Sequence, residues 1–562
     1  MRQHKVIIAA LLLGISAAGG WCVRGAAASA SGQAAVAEIP VPPPPMGWSS
    51  WNSFSNEIDS NIAMAQAKAM VSTGMKARGY QYVNIDEGWW LGERDAQGNI
   101  VVDPAQWPAL EPGERAGDMA NIVKFIHSLG LKAGIYTDAG EAGCSFYGPD
   151  LGPPKPHTGS EAHYEQDFLQ FAKWGFDYVK VDWCGGHGEN LDPALQYGQV
   201  ARAIRRAEAL TGHRLFFSIC DWGVNSPWTW APGIGGVTAD IWRTSGDIVA
   251  PIVANSPNAN RQASFPGMLG NFDKGIHPEA QHTGFYNDPD MMVLGMPALS
   301  DAENRVHMTL WAISGAPLLV GADLTTLSPA SLSTLTNPEV LAVDQDPLGL
   351  QCAKVSDASG LQVWSKRLAQ LGRTDSRRAV VLLNRTASAA PVTVRWSDLG
   401  LDSDSATVRD LWRRQDLGTP ANSFSATVPA TDALMLLVTG HEQPGVRYPA
   451  AGGVQGTPAV SSAFCTEKEK SWVFHGVQSA GSNAWIQIAY ENPQDSPSFA
   501  EFRTNGELET LIAFPSTGKG RMGSITIAAA LKHRSQGNDL TLLAAGGGSL
   551  TVDSITVIPG SK

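Results

Sequence analysis

Short apolar segments alternate with amphipathic helical segments over the first 350 or so residues, and this alternation sharply restricts the possible folds. Helical segments such as MANIVKFIHSLG (119–130) repeat apolar residues at intervals of three and four and end at glycine. Repeated strand-helix units require parallel strands. About eight units predict a (β/α)8 TIM barrel rather than an open sheet, since no GxGxxG follows an early strand. The strand-like segments are VNID (83–86), LKAGIYTD (131–138), YVKVDWC (178–184), LFFSICDW (215–222), DIWRTS (240–245) and APLLVGAD (316–323).

The helical pattern stops near residue 355. Alternating segments such as LQVWSKRL (361–368) then predict an antiparallel β-sandwich domain, and segments such as WIQIAYEN (485–492) predict a second, C-terminal β-sandwich. A chain of 562 residues is also too long for one core. We therefore predict domains at 40–350, 351–445 and 446–562.

The first 30 residues read as a signal peptide. Arg2 and Lys5 precede an apolar run (6–18) and a small-residue tract suited to cleavage after Ala28 or Ala30. The run is too short for a stable transmembrane helix. We therefore expect export to the periplasm or the medium, with no membrane association after cleavage. Five cysteines then remain, which allow two disulfides at most.

The formal net charge of −12 argues against nucleic acids and anionic membranes as partners, because both require clustered cations. The sequence has no long run of lysine or arginine.

Acidic residues crowd the ends of the predicted strands. Active sites of parallel barrels open at the carboxyl ends of the strands, so these positions are catalytic candidates. Two adjacent carboxylates are tolerable there only if a ligand or a cation offsets their charge. The residues are Asp86, Glu87, Asp138, Asp182, Asp221, Asp247, Asp288 and Asp290.

Two cations accompany these acids. Lys180 precedes Asp182 by two residues and shares its strand face, and Arg243 precedes Asp247 by four. Such a face suits hydroxyl groups, which both donate and accept hydrogen bonds. Glycoside hydrolysis needs one ionised and one protonated carboxyl group. Beside Lys180, we expect Asp182 to stay ionised, which leaves Asp247 as the candidate for the protonated acid.

Other interpretations of the acidic residues exist. A single aspartate at a strand end is often a helix cap or a loop hydrogen-bonder. Clustered acids also bind metals, but no histidine cluster has ligand spacing, so we predict neither a metal nor a cofactor. His187, His282 and His307 read as ordinary polar residues.

Seven motifs resemble, in the same order, the signature series of the family 27 glycoside hydrolases, the α-galactosidase family. The resemblance covers about residues 40 to 440 and implies a (β/α)8 barrel followed by an antiparallel β-domain. It further implies a retaining exo-hydrolase of terminal α-D-galactosyl residues that acts on galactose-containing glycans. The motifs are MGWSSWNSF (46–54), YVNIDEGWW (82–90), GIYTDAGEAGC (134–144), YVKVDWC (178–184), WRTSGDI (242–248), NDPDMM (287–292) and NPEVLAVDQDPLG (337–349).

The resemblance also implies roles for individual residues. Asp182 would be the nucleophile and Asp247 the acid/base, and Cys144 would form a disulfide with Cys184. The implied sugar contacts are Trp51, Asp86, Glu87, Tyr136, Lys180, Asp221, Arg243 and Asp290.

The sequence departs from the family pattern at several positions. Glu87 and Gly88 stand where the family has Asp and Cys, and Asn56 replaces the cysteine that would pair with the second of these. The longer Glu87 side chain would reach toward the C6 group of galactose, and family members that act on β-L-arabinopyranosides, which lack C6, resemble this chain at Glu87. A β-L-arabinopyranosidase acting on arabinopyranose-containing glycans therefore stays an alternative. Asp221, where the family often has Glu, could re-aim the contact to the 2-hydroxyl.

Two further alternatives stay open. The first is a non-catalytic sugar-binding barrel. The presence of both Asp182 and Asp247 argues against it, because a binding protein does not need a nucleophile and an acid. The C-terminal region resembles carbohydrate-binding modules of families 6 and 35 through YENPQDSPSFAEFRTNGE (490–507), FPSTGKGRMGS (514–524) and VDSITV (552–557), although a structural β-domain without a ligand would also fit.

Overall fold

The computed structural model of the chain describes residues 36–147, 155–232, 239–248, 265–297, 299–370, 375–450, 470–478, 484–545 and 549–560. The predicted signal peptide at residues 1–30 lies outside these ranges. Among the helices of the described part, none has the length and apolar character needed to cross a membrane.

The predicted parallel barrel is confirmed: within the described ranges, eight parallel strands form one sheet in which the eighth strand pairs with the first. Met292, which follows the seventh strand, bridges to Val320 in the eighth and brings the two ends of the sheet together. The backbone N–H of Met292 donates to the carbonyl of Leu319 over 2.7 Å. The strands are Met46–Ser49, Tyr82–Asn84, Lys132–Asp138, Tyr178–Asp182, Phe216–Cys220, Ile241–Arg243, Tyr286–Asp288 and Leu318–Val320.

Two of these strands, Met46–Ser49 and Tyr286–Asp288, were not among the strand-like segments. They lack the apolar flanks that revealed the other short strands: prolines 42–45 precede the first, and Asn287, Asp288 and Pro289 interrupt the second. Trp89 and Trp90, after the acidic pair, are fully buried and belong to the core rather than to an exposed sugar platform.

The helices follow local end signals. Asp301–Ser314 begins with a capping box between Ser300 and Glu303. It ends at Gly315, whose φ of 62° is a left-handed backbone conformation that glycine adopts without steric strain because it has no Cβ. The helices of seven or more residues are Ser60–Ser72, Ala120–Ser128, Tyr164–Trp174, Pro193–Thr211, Phe265–Lys274, Asp301–Ser314, Pro329–Leu335 and Pro338–Asp344; the shorter ones include Trp51–Phe54, Cys144–Tyr147 and Cys184–Gly188.

The region after the barrel is antiparallel, as predicted. A six-stranded and a two-stranded sheet enclose a core of their own that includes Val380, Leu382, Trp396 and Leu436. The strands are Ala353–Ala358, Leu361–Leu368, Ser376–Asn384, Ala390–Arg395, Leu401–Asp410, Gln415–Gly418, Ser423–Val428 and Asp432–Glu442.

The C-terminal region forms two four-stranded antiparallel sheets around a separate apolar core. It packs directly on the other parts of the chain: His282 Nε2 lies 3.1 Å from Thr510 Oγ1, and the Arg378 guanidinium lies over the Trp485 ring. The strands are Val446–Pro449, Ser471–Val477, Ala484–Glu491, Ser498–Thr504, Glu507–Phe514, Gly523–Ala529, Asn538–Ala545 and Thr551–Pro559.

Candidate active site

The acidic residues collect at the carboxyl ends of the barrel strands because parallel pairing places those ends on the same side. Asp138 and Asp182 are direct neighbours across the third and fourth strands, and Arg243 and Asp288 are neighbours across the sixth and seventh. All four side chains are buried. This end of the barrel therefore holds several charges in a region with little water.

A first cluster forms around Lys180. Its Nζ lies 3.1 Å from Asp86 Oδ2 and 3.5 Å from Asp182 Oδ2, and it sits 5.1 Å from the centre of the Tyr136 ring. Burial opposes the ammonium charge, but the carboxylates of Asp86 and Asp182 outweigh it and raise the pKa of Lys180 well above its ordinary value. Lys180 is thus a permanent cation between two acids.

Asp182 is held by the backbone as well as by Lys180. Its Oδ1 accepts a hydrogen bond of 3.0 Å from the N–H of Trp183. Burial raises the pKa of Asp182, the Lys180 ammonium lowers it, and the charge of Asp247 raises it again. Lys180 alone would keep Asp182 ionised, as expected from the sequence, but desolvation in the closed barrel acts in the opposite direction.

A second cluster forms around Arg243. Its guanidinium lies 2.8 Å from Asp290 Oδ1 and 3.0 Å from Asp247 Oδ1. Asp290 is buried, whereas the Asp247 side chain is 46% exposed. Asp290 Oδ2 also accepts a 2.6 Å hydrogen bond from the N–H of Ile248, directly after Asp247. Arg243 and Asp290 together therefore hold the segment that carries Asp247 against the strand ends.

Glu87 is fully buried and faces the short helix Cys144–Tyr147. Its Oε1 accepts hydrogen bonds from Ser145, at 2.8 Å from N and 2.5 Å from Oγ. Its Oε2 has no hydrogen-bond partner among the described residues. Burial raises the pKa of Glu87 to about 7, Ser145 lowers it, and the charges of Asp182 and Asp86 raise it. The two adjacent acids are therefore stabilised in different ways. Lys180 neutralises the charge of Asp86, whereas Glu87 is stabilised by hydrogen bonds from Ser145 and by a raised pKa that favours its protonated form.

This pKa makes Glu87 a source of pH-dependent stability. Because the folded protein keeps a proton that the unfolded chain releases near pH 4.5, the stabilising contribution is complete below pH 4.5 and is lost as pH rises through about 7. Glu87→Gln cannot lose this proton. Its free energy of unfolding should therefore fall less than that of the parent between pH 5 and 8, by a difference on the order of 3 kcal/mol.

Urea unfolding at a series of pH values measures this difference. Glu93→Gln is the matched control, because Glu93 is exposed and close in sequence. If Glu87→Gln and Glu93→Gln show the same pH slope as the parent, Glu87 does not carry the effect.

The disulfide joins Cys144 to Cys184, the pairing that the resemblance implies. The Tyr136 hydroxyl donates to Cys144 Sγ over 3.5 Å, so the bridge borders the Lys180 cluster. At the positions where the family has a second bridge, Gly88 packs directly on Asn56: a Cβ on Gly88 would lie 2.6 Å from the Asn56 carbonyl oxygen. Close backbone packing thus occupies the place of that bridge.

The remaining predicted sugar contacts are Trp51 and Asp221. Trp51 is partly buried and packs against the apolar barrel cluster that includes Met291 and Leu319. Asp221 is buried, and burial raises its pKa to about 6, while a hydrogen bond from the Gly223 N–H lowers it.

One cavity connects the two clusters. It is lined by Asp86 and Lys180 from the first cluster and by Arg243 and Asp290 from the second. Its lining also includes residues that were not selected as sugar contacts: Asn84, Ser218, Cys220 and Asp288. Cys220 directly precedes Asp221 at a strand end, so its position in the sequence could have identified it. Ser145 could not be identified in this way, because it lies 58 residues from Glu87.

One group of side chains within the described ranges is compact enough to hold a metal. Oxygens of Asp138 and Asp182 and the sulfurs of Cys144 and Cys184 lie within 4.8 Å of one another. The two sulfurs share a covalent bond, which leaves a metal only two carboxylates. The absence of a metal from the reaction therefore stays a prediction.

Comparisons with known proteins agree over residues 43 to 438. The sequence profile described as "Alpha galactosidase A" matches residues 43–346, and the profile described as "Alpha galactosidase C-terminal beta sandwich domain" matches residues 358–438. An alpha-galactosidase of Cyamopsis tetragonoloba is 37% identical over 70% of this chain and 86% of its own.

Solved structures give the same result for the fold. The crystal structure of alpha-galactosidase I from Mortierella vinacea has a TM-score of 0.60 and 30% identity, and covers 71% of this chain and 98% of its own. A β-L-arabinopyranosidase of family GH27 from Geobacillus stearothermophilus has a TM-score of 0.59 at 23% identity, covering 71% of this chain and 96% of its own, and so shares the fold.

Proposed function

The chain belongs to the alpha-galactosidase family, and from that premise we propose that it is a retaining exo-glycoside hydrolase that releases terminal α-D-galactosyl residues from oligo- and polysaccharides. The observation that carries this proposal is that the cation partners of the two acids line one cavity. Lys180, which contacts Asp182, and Arg243, which contacts Asp247, line the same cavity. The charge of Asp247 also acts on Asp182.

In the first step, the carboxylate of Asp182 attacks the anomeric carbon. A bond forms between that carbon and Asp182, the bond to the glycosidic oxygen breaks, and Asp247 gives this oxygen its proton. Lys180 supports the step because its charge, 3.5 Å from Asp182, favours the ionised form against desolvation.

In the second step, Asp247 acts as a base. Its carboxylate takes a proton from water as the water oxygen attacks the anomeric carbon and releases Asp182. Two displacements on opposite faces leave the anomeric configuration unchanged. Asp247 suits this role because its half-exposed side chain can reach water, whereas Asp182 is buried.

The charged residues of the cavity can bind the sugar hydroxyls. Asp86 and Asp290 accept hydrogen bonds and Lys180 and Arg243 donate them, so a hydroxyl can bridge an acid and a neighbouring cation. Each of these acids already contacts its cation at 3.1 Å or less, which preorganises the cavity before a sugar binds.

The test is hydrolysis of 4-nitrophenyl α-D-galactopyranoside, followed by proton NMR of the sugar released before mutarotation. We expect α-galactose as the first product. β-Galactose as the first product would contradict the retaining mechanism. Stabilisation by galactose in a thermal melt without any turnover would favour a non-catalytic sugar-binding barrel.

Glu87 supports a second candidate activity, hydrolysis of terminal β-L-arabinopyranosides on the same scaffold. Ser145 engages one oxygen of Glu87, and the other is buried without a partner among the described residues, so the carboxyl group has unused hydrogen-bonding capacity. Arabinopyranose has the ring configuration of galactose but lacks C6, which leaves room for the longer acid.

Glu87→Asp distinguishes the two activities. Shortening the side chain by one methylene should raise the ratio of kcat/KM for the nitrophenyl α-D-galactoside over that for the β-L-arabinopyranoside by about tenfold or more, because it removes bulk near C6. Parallel initial rates on both substrates measure the ratio. Glu93→Asp, at an exposed position, should leave the ratio unchanged. An unchanged ratio in Glu87→Asp would exclude Glu87 as the determinant.

The outer parts of the chain have proposed roles as well. The two antiparallel sheets of the C-terminal region support a carbohydrate-binding module of the family 6 and 35 kind. Retardation of the protein in native gels that contain soluble galactan or arabinan tests this role. The N-terminal segment would direct export to the periplasm or the medium, and a mature N-terminus after Ala28 or Ala30 tests that assignment.

A further inference from the structure

A second cavity shares no lining residue with the cavity at the strand ends. It is a cleft of about 650 Å³ between the barrel helices Asp301–Ser314 and Pro329–Leu335 and the sheets of the following domain. Clefts of this size at domain junctions are common ligand sites. We call it the junction cleft, and its lining includes Arg305, Thr334, Asp410, Trp412, Arg413 and Arg414.

The junction cleft is rich in arginine, although the whole chain has a net charge of −12. Arg305 and Arg413 are 42% and 75% exposed and contact acids only at long range, 4.0 Å to Asp432 and 3.8 Å to Asp410. Arg414 is exposed and, within the described part of the chain, has no ion-pair partner. These guanidinium groups are therefore largely free to bind a ligand.

The acid nearest to Arg413 has other partners. Asp410 is buried, and its Oδ1 accepts hydrogen bonds of 2.9 Å from the N–H groups of Trp412 and Arg413. Because these bonds use the carboxylate to hold the turn, it neutralises the cleft only in part.

Trp412 gives the cleft a fixed aromatic surface. Its indole N–H donates to Thr309 Oγ1 over 2.9 Å, which ties the ring to the barrel helix. The ring is only partly buried. A fixed aromatic ring offers a flat face for a pyranose ring without a further loss of side-chain entropy.

We propose that the junction cleft binds an acidic segment of a glycan, with hexuronate carboxylates on Arg305, Arg413 and Arg414 and a sugar ring against Trp412. Planar guanidinium groups pair with carboxylates through two parallel hydrogen bonds. The exposed hydroxyl groups of Ser333 and Thr427 in the lining suit sugar hydroxyls. The inference rests on the proposed function, because an enzyme that trims chain ends meets the rest of the polysaccharide.

Titration calorimetry with the full-length protein and a short oligogalacturonate tests the proposal. We expect binding that weakens with added salt. The double variant Arg413→Ala/Arg414→Ala should weaken it by about tenfold or more. Arg202→Ala, at an exposed helix position outside the cleft, is the matched control and should bind like the parent. Hydrolysis of the nitrophenyl galactoside should stay within about twofold in all three proteins, because none of the changes lies in the active site.

Several results would overturn the proposal: no binding by the parent, equal binding by the double variant, or equally tight binding of a neutral galacto-oligosaccharide. Inorganic phosphate that competes as strongly as the oligosaccharide would also overturn it, since a general anion site would then suffice. Hydrolysis without oligogalacturonate binding contradicts the junction cleft alone. Binding that depends on the arginines, without hydrolysis, contradicts the proposed function alone.

Discussion

Replacement of Asp182 by alanine is expected to reduce kcat on the nitrophenyl α-D-galactoside by about four orders of magnitude. The carboxylate of Asp182 forms the bond to the anomeric carbon, and no other acid occupies its position 3.5 Å from Lys180 and at hydrogen-bond distance from the Trp183 N–H among the described residues. The loss should therefore appear in kcat and should not depend on the leaving group.

Rescue by azide tests the role of Asp182 as the nucleophile directly. Asp182→Ala leaves space for a small anion on the nucleophile's side of the sugar, so azide should restore turnover and yield β-galactosyl azide, the product of a single displacement. Proton NMR of the glycosyl azide gives its configuration. The isosteric Asp182→Asn should keep galactose binding in a thermal melt, which shows that the fold survives. An α-configured azide, or activity within tenfold of the parent, would remove Asp182 from the nucleophile's role.

Replacement of Asp247 by alanine should lower kcat/KM by about 10² to 10⁴ for substrates with a poor leaving group, the usual range for loss of a general acid. The effect on a dinitrophenyl galactoside should be much smaller, because that leaving group departs without a proton. Deglycosylation then limits the rate, and azide should accelerate it to give α-galactosyl azide. The opposite configurations of the two azide products separate the roles of Asp182 and Asp247.

A matched control exists for Asp247. The side chain of Asp273 is 44% exposed and contacts Arg385, much as the 46% exposed Asp247 contacts Arg243. Asp273→Ala should have normal rates on both classes of substrate. If Asp247→Ala slows both substrates equally and does not respond to azide, its role is confined to placing Arg243.

The positions of the site residues along the strands could be predicted from the sequence. Lys180 and Asp182 share a face because they lie two residues apart at the end of one strand, and parallel pairing brings Asp138 beside Asp182. The strands Met46–Ser49 and Tyr286–Asp288 escaped prediction because prolines and polar residues, rather than an apolar run, surround them. Roles for Asp247 and for the disulfide came from the motif series rather than from periodicity.

The parallel barrel, the antiparallel domains after it and the acidic strand ends could be inferred from the sequence, because these depend on local periodicity and on the position of a residue in its strand. Most of the partnerships between charged and polar groups, in contrast, depend on the folded structure. Arg243 contacts both Asp290 and Asp247, Ser145 engages Glu87, and the arginines of the junction cleft gather where two domains meet. Apart from the contact of Arg243 with Asp247, four residues later, these contacts join residues that are distant in the sequence. Desolvation of the acids arises only when the barrel closes around them.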